Sequence, residues 1–98
     1  MIRHTVAFRL GHAAGSEAER TFLSDGERIL SAIPGVERFE ALRQTSPKNA
    51  FTHGFSMEFS GEDAYRAYND HPDHVAFVRD RWIPEVAEFL EIDYAPLG

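Results

Sequence analysis

The chain has 98 residues and a formal net charge of −6 at neutral pH, so it makes one domain, 1–98, with a thin core that a second copy would enlarge. It contains no cysteine, which excludes disulfides, thiolate catalysis and zinc–thiolate centres. Its single lysine and nine arginines are scattered through an acidic sequence, which argues against nucleic acid and against anionic membranes as partners, because both need clustered cations.

The opening "MIRHTVAFRL" alternates: Ile2, His4, Val6, Phe8 and Leu10 share one face, and Arg3, Thr5, Ala7 and Arg9 the other. This predicts a half-buried strand. "GHAAG" breaks the pattern, and Ser16 with Glu19 forms a capping box for a helix whose inward stripe is Ala18, Phe22, Leu23, Ile29, Leu30 and Ile33. Gly26 falls on or beside that stripe, where glycine costs about 1 kcal/mol against alanine. Close packing on the sheet or an opening for a ligand would favour it there.

Pro34 and Gly35 end the helix, and "VERFEALRQT" resumes alternation as the least apolar strand, one suited to a sheet edge. Turn residues "SPKN" lead to "FTHGFSMEF", with Phe51, His53, Phe55, Met57 and Phe59 on one face. Ser60, with Asp63 three residues on, is placed to cap a second helix bearing Ala64, Ala67, Tyr68 and His71. Pro72 opens a third, with Asp73 near its positive end and Val75, Val78 and Trp82 as the buried stripe. "EFLEIDYA" reads as the last strand. The order β-α-β-β-α-β is that of an α+β, ferredoxin-like domain, with a four-stranded antiparallel sheet and helices on one face. The first and third strands take the middle. The other sheet face needs a cover, and a second copy of the same sheet supplies one, which predicts a homodimer joined through its sheet faces.

Four side chains carry candidate chemistry. His4 and His53 each interrupt an apolar strand face. Singly, such a residue reads as a core histidine; as a pair on neighbouring strands they point to a shared polar spot, since an unpartnered buried imidazole costs about 1–3 kcal/mol. Tyr68 and His74 flank the helix break: the histidine offers a proton acceptor near neutral pH, and the tyrosine hydroxyl a donor to a carbonyl gaining negative charge. The plainer reading packs the Tyr68 ring in the core and lays His74 over the first helical turn. His71, His74, Asp70 and Asp73 do not make a metal site, because Pro72 starts a new helix between the histidines and leaves His71 as a cap. Asp93 and the glutamates of the second and last strands read as solvent-facing charge. No phosphate-binding glycine loop or nucleophile elbow is present, and nothing in the pattern calls for a cofactor. No apolar run approaches the roughly 20 residues of a membrane span, and a signal-peptide pattern is missing, so the expected compartment is the cytoplasm.

These stretches together, "IRHTVAFRL", "AIPGV", "FTHGFSMEF", "YNDHPDHVAF" and "IDYAP", resemble the stress-responsive α/β-barrel family, the dimeric ferredoxin-like proteins called Dabb domains. The resemblance covers nearly the whole chain, and "HPxH" before "V-x-F" is its most specific part. It implies a homodimer whose two sheets face each other as a barrel. By resemblance to the polyketide cyclases of olivetolic acid type, His74 corresponds to the base and Tyr68 to the assisting tyrosine of a cofactor-free aldol closure. His4 and His53 fall on pocket histidines, and Gly26 lies about where the cyclase presents a pocket tyrosine, so the cavity wall and the substrate differ. The resemblance implies a small apolar or aromatic carbonyl ligand and proton abstraction next to that carbonyl. Two alternatives are a non-catalytic stress or ligand-binding protein and a monooxygenase on the same dimeric barrel.

Overall fold

A computed structural model describes residues 1–98. Four strands, β1 (Ile2–Leu10), β2 (Glu37–Arg43), β3 (His53–Phe59) and β4 (Val86–Tyr94), form one antiparallel sheet in the order β2-β3-β1-β4. Helix α1 (Glu17–Ser31) follows β1. Between β3 and β4 run α2 (Glu62–Asp70), α3 (Pro72–Phe77), a π-helical turn at Val78–Trp82 and the short α4 (Ile83–Glu85). The two strands with the cleanest apolar alternation take the centre. Their register sets His4 opposite Met57, Val6 opposite Phe55 and Phe8 opposite His53.

The core lies between these inward side chains and the helices. It comprises Val6, Phe8, Leu10, Phe22, Leu30, Ile33, Phe55, Met57, Phe59, Tyr68 and Phe77. Ser16 caps α1 by accepting from the Glu19 amide, while the Glu19 carboxylate accepts from the Gly15 amide. No helix is long and apolar enough to cross a membrane. On the sheet face away from the helices, the register lines up Leu42, Gly54, Ala7 and Leu90 in one row and Glu40, Ser56, Thr5 and Ile92 in the next. Glu58 binds both Arg3, at 2.6 Å, and Arg38 on this side. Arg38 sits at φ 50° where the β2–β3 register shifts, and this bulge brings its guanidinium to Glu58.

Three local expectations change. Ser60 does not cap α2; Gly61 holds the cap position in an extended conformation with no side-chain bond. Ala18, in the first turn of α1, is exposed. Val75 is also exposed, and Phe77 is the buried residue of its helix. The π-helical turn that follows has a wider repeat and sets residues five apart on one face. Phe77 and Trp82 therefore both reach Phe22, with ring centroids at 5.7 and 6.1 Å.

Gly26 is buried where α1 crosses the sheet, and a Cβ there would lie 2.8 Å from Cζ of Phe55 and 3.4 Å from Cζ of Phe77. Close packing explains the glycine. Gly26→Ala is expected to lower stability by about 1–2 kcal/mol, the overpacking outweighing the gain of about 1 kcal/mol in helix propensity. The urea midpoint measures it, and a midpoint at or above that of the parent chain would show that Phe55 yields freely.

Candidate functional site

A cavity of about 370 Å³ lies between the sheet and the helices. Its walls are mostly apolar: Val6, Phe55 and Met57 from the sheet, Leu30 from α1, and Phe77 and Trp82 from the α3–π segment. Its polar groups converge from three elements: His4 on β1, Tyr68, Asn69 and His74 around the α2–α3 corner, and Glu91 on β4.

The corner explains how Tyr68 and His74 meet. Pro72 cannot continue α2, and His71 turns the chain at ψ 136°. The His71 ring then accepts from the Asp73 amide and caps α3, as expected of a residue outside the helix face. Tyr68 on the last turn of α2 and His74 on the first turn of α3 face one another, ring centroids 4.5 Å apart. His74 Nδ1 donates to the carbonyl of Asn69 at 3.1 Å. This bond sets the tautomer: Nδ1 carries the proton and Nε2 keeps the lone pair. Burial, the largest influence, holds the His74 pKa below the ordinary histidine value; the bond to the Asn69 carbonyl opposes it. The ring is therefore a neutral base at physiological pH. Tyr68 is 2% exposed, and its phenol pKa is pushed up by burial and by the charge of Glu91. It stays protonated, with no protein partner for a hydroxyl that is nonetheless not sealed off.

His4 is buried at the other side of Tyr68, ring centroids 6.1 Å apart. Its Nδ1 lies 2.6 Å from Asp93 Oδ1 and 2.9 Å from the Tyr65 hydroxyl, which donates to Asp93 Oδ2 at 2.7 Å. Asp93 is thus not idle surface charge, as the strand alternation had implied, but the partner that orients His4. Burial first, then the bond to Asp93, raises the Tyr65 pKa. Tyr65 and Glu91 were missed from sequence. The available signals were the three-residue spacing of Tyr65 and Tyr68 on one helix face, and the alternation of Phe89, Glu91 and Asp93 on the helix-facing side of β4.

His53 does not join the cavity. The antiparallel register carries it to the Phe8 end of β1, away from His4, where it bonds Thr52 Oγ1 at 2.9 Å and stacks on Phe8. Gly26 does not line the cavity either, since the Phe55 and Phe77 rings fill the space beside it. Of the residues singled out from sequence, the structure brings together His4, Tyr68 and His74.

Residues 2–96 match the family described as Stress responsive A/B Barrel Domain, or Dabb. This chain belongs to the Dabb family. A Dabb protein of ferredoxin-like fold from Mesorhizobium loti is 66% identical, with a TM-score of 0.98 over 99% of this chain and 97% of that one. A stress-response A/B barrel domain-containing protein of Arabidopsis thaliana is 38% identical over 55 residues, 52% of this chain and 50% of the relative. The present Dabb chain thus spans about half the length of that curated relative. Two more distant structures share the fold: a dimeric ferredoxin-like protein from Thermobifida fusca (24% identity, TM-score 0.79, 97% and 90% coverage) and a hydroxynitrile lyase from Passiflora edulis (14%, 0.84, 99% and 94%).

His53 and His74 both have pKa values lowered chiefly by burial. The unfolded chain therefore binds more protons than the folded Dabb domain in the acid limb of histidine titration, and stability rises with pH there. Stability is expected to be full above about pH 6.5, the unfolded histidine value, and to fall as pH drops below it, before the carboxylates titrate. Thermal melts from pH 7.5 to 5 check this; a flat melting temperature across that range would contradict it.

Proposed function

We propose that this Dabb domain is a cofactor-free enzyme that abstracts a proton next to a carbonyl, in an aldol-type cyclisation, isomerisation or lyase reaction. The observation that carries the reading is the His74–Asn69 bond, which leaves Nε2 as a neutral acceptor beside the free hydroxyl of Tyr68. His74 Nε2 takes the proton from the carbon next to the carbonyl, and the electron pair moves onto the carbonyl oxygen as an enolate. The Tyr68 hydroxyl donates to that oxygen, stabilising charge that exists only after the proton has left. His4, held by Asp93 and Tyr65, supports the same end of the cavity. The enolate then closes on an electrophile, expels a group or takes the proton back.

The functional unit in this reading is a homodimer joined through the sheet faces. The rows of Ala7, Leu42, Leu90 and Ile92 on the helix-free side, and the dimeric description of the Thermobifida fusca fold relative, support it. The hydroxynitrile lyase from Passiflora edulis, which shares this fold, supports the lyase arm of the reading. The test is exchange of the methyl protons of acetophenone for deuterium in D₂O, followed by proton NMR. The wild-type chain is expected to accelerate the exchange above buffer. No acceleration of this or other simple ketones would remove the catalytic reading and leave the cavity as a binding site.

A further inference from the structure

Resting on that reading of the cavity, we infer that its ligand is an uncharged aromatic carbonyl compound and that the site rejects carboxylates. The lining contains no lysine or arginine, and its one formal charge is Glu91 at the mouth. Asp93 adds a second carboxylate immediately behind, with Glu91 Oε1 3.6 Å from the same His4 nitrogen that Asp93 binds.

The neighbouring guanidinium groups are committed elsewhere. Arg81 is held by Asp25 and Glu85, and Arg66 bonds Asp63. Arg3, Arg9 and Arg38 pair with Glu58 and Glu88 on the far side of the sheet. The imidazoles do not replace them: His74 donates its only proton to Asn69, and any charge on His4 is already matched by Asp93. A ligand carboxylate would therefore lose its water and meet a like charge with no cation to balance it. An aromatic ketone or aldehyde meets the rings of Phe55, Phe77, Trp82 and Phe89, and its carbonyl oxygen finds the Tyr68 hydroxyl.

Trp82 lines the cavity and is the only tryptophan of the chain, so its indole N–H resonance reports binding directly. Acetophenone and benzoate make a near-isosteric pair for titration on the full chain. Acetophenone is expected to move the Trp82 resonance saturably and benzoate to bind at least about tenfold more weakly, with Glu91→Gln cutting that gap to about threefold or less. Benzoate binding as tightly as acetophenone would overturn the inference, as would a gap unchanged in Glu91→Gln. A Trp82 resonance that neither compound moves would overturn it as well. Selective binding of acetophenone without proton exchange would keep this inference and remove the catalytic one; exchange without selectivity would do the reverse.

Discussion

His74→Ala is expected to slow enzyme-dependent deuterium exchange into acetophenone by about 10²–10⁴-fold, the contribution of a positioned general base. In the proposed mechanism the ring has two separate tasks: its Nδ1–H anchors on Asn69, and its other nitrogen accepts the proton. Alanine removes both. The helix it leaves is intact, because alanine is a good helix former and His74 is not part of the buried core. Circular dichroism should therefore be unchanged while exchange is lost. The pH profile adds a second readout. The base works only when neutral, so the rate rises with pH and levels off above a pKa that burial holds below the ordinary histidine value. Most of the plateau rate should already be present at pH 7. Tyr68→Phe separates the roles: it removes the donor to the enolate oxygen and leaves the acid limb where it was. Retained exchange in His74→Ala, or an acid limb that survives it, would take His74 out of the mechanism.

Phe8→Ala is expected to destabilise the fold by about 3–5 kcal/mol, a large part of the 5–15 kcal/mol typical of a domain. Phe8 is 0% exposed near the C-terminal end of β1. Its ring meets Phe55 at 4.8 Å, Trp82 at 5.0 Å, Phe22 at 6.0 Å and the His53 imidazole at 6.0 Å. It therefore ties α1, the π-helical turn and both central strands together. Removing it deletes apolar burial and leaves a void that rings anchored on three elements cannot close. The urea midpoint should fall with little change in slope. A loss below about 1 kcal/mol would mean that the surrounding rings collapse into the space.

The arrangement of strands was legible because period-two alternation is strong in β1 and β3, and because the polar character of β2 marks an edge. What failed depended on quantities that periodicity does not contain. Asp93 looked like surface charge because alternation assigns a face, whereas its role comes from lying across β1 from His4. The expected His4–His53 pair dissolved because two residues on neighbouring strands meet only if the register aligns them. A uniform 3.6-residue repeat puts Val75, Val78 and Trp82 on one stripe, and the π-helical turn at Val78–Trp82 breaks that repeat. Tyr68 and His74 were readable for the opposite reason: a proline and a capping histidine between them are local signals, and the distance they set is local too.

That locality has an evolutionary consequence. In the proposed mechanism the base, the hydrogen-bond donor and the anchoring carbonyl all sit within residues 68 to 74, whereas the rest of the cavity wall comes from β1, β3, β4, α1 and the α3–π segment. Substitutions in those elements can reshape the chamber while the corner keeps its local hydrogen bond from His74 to Asn69. On the proposed reading the architecture is modular, with a short cassette at the α2–α3 corner and a surrounding wall free to vary.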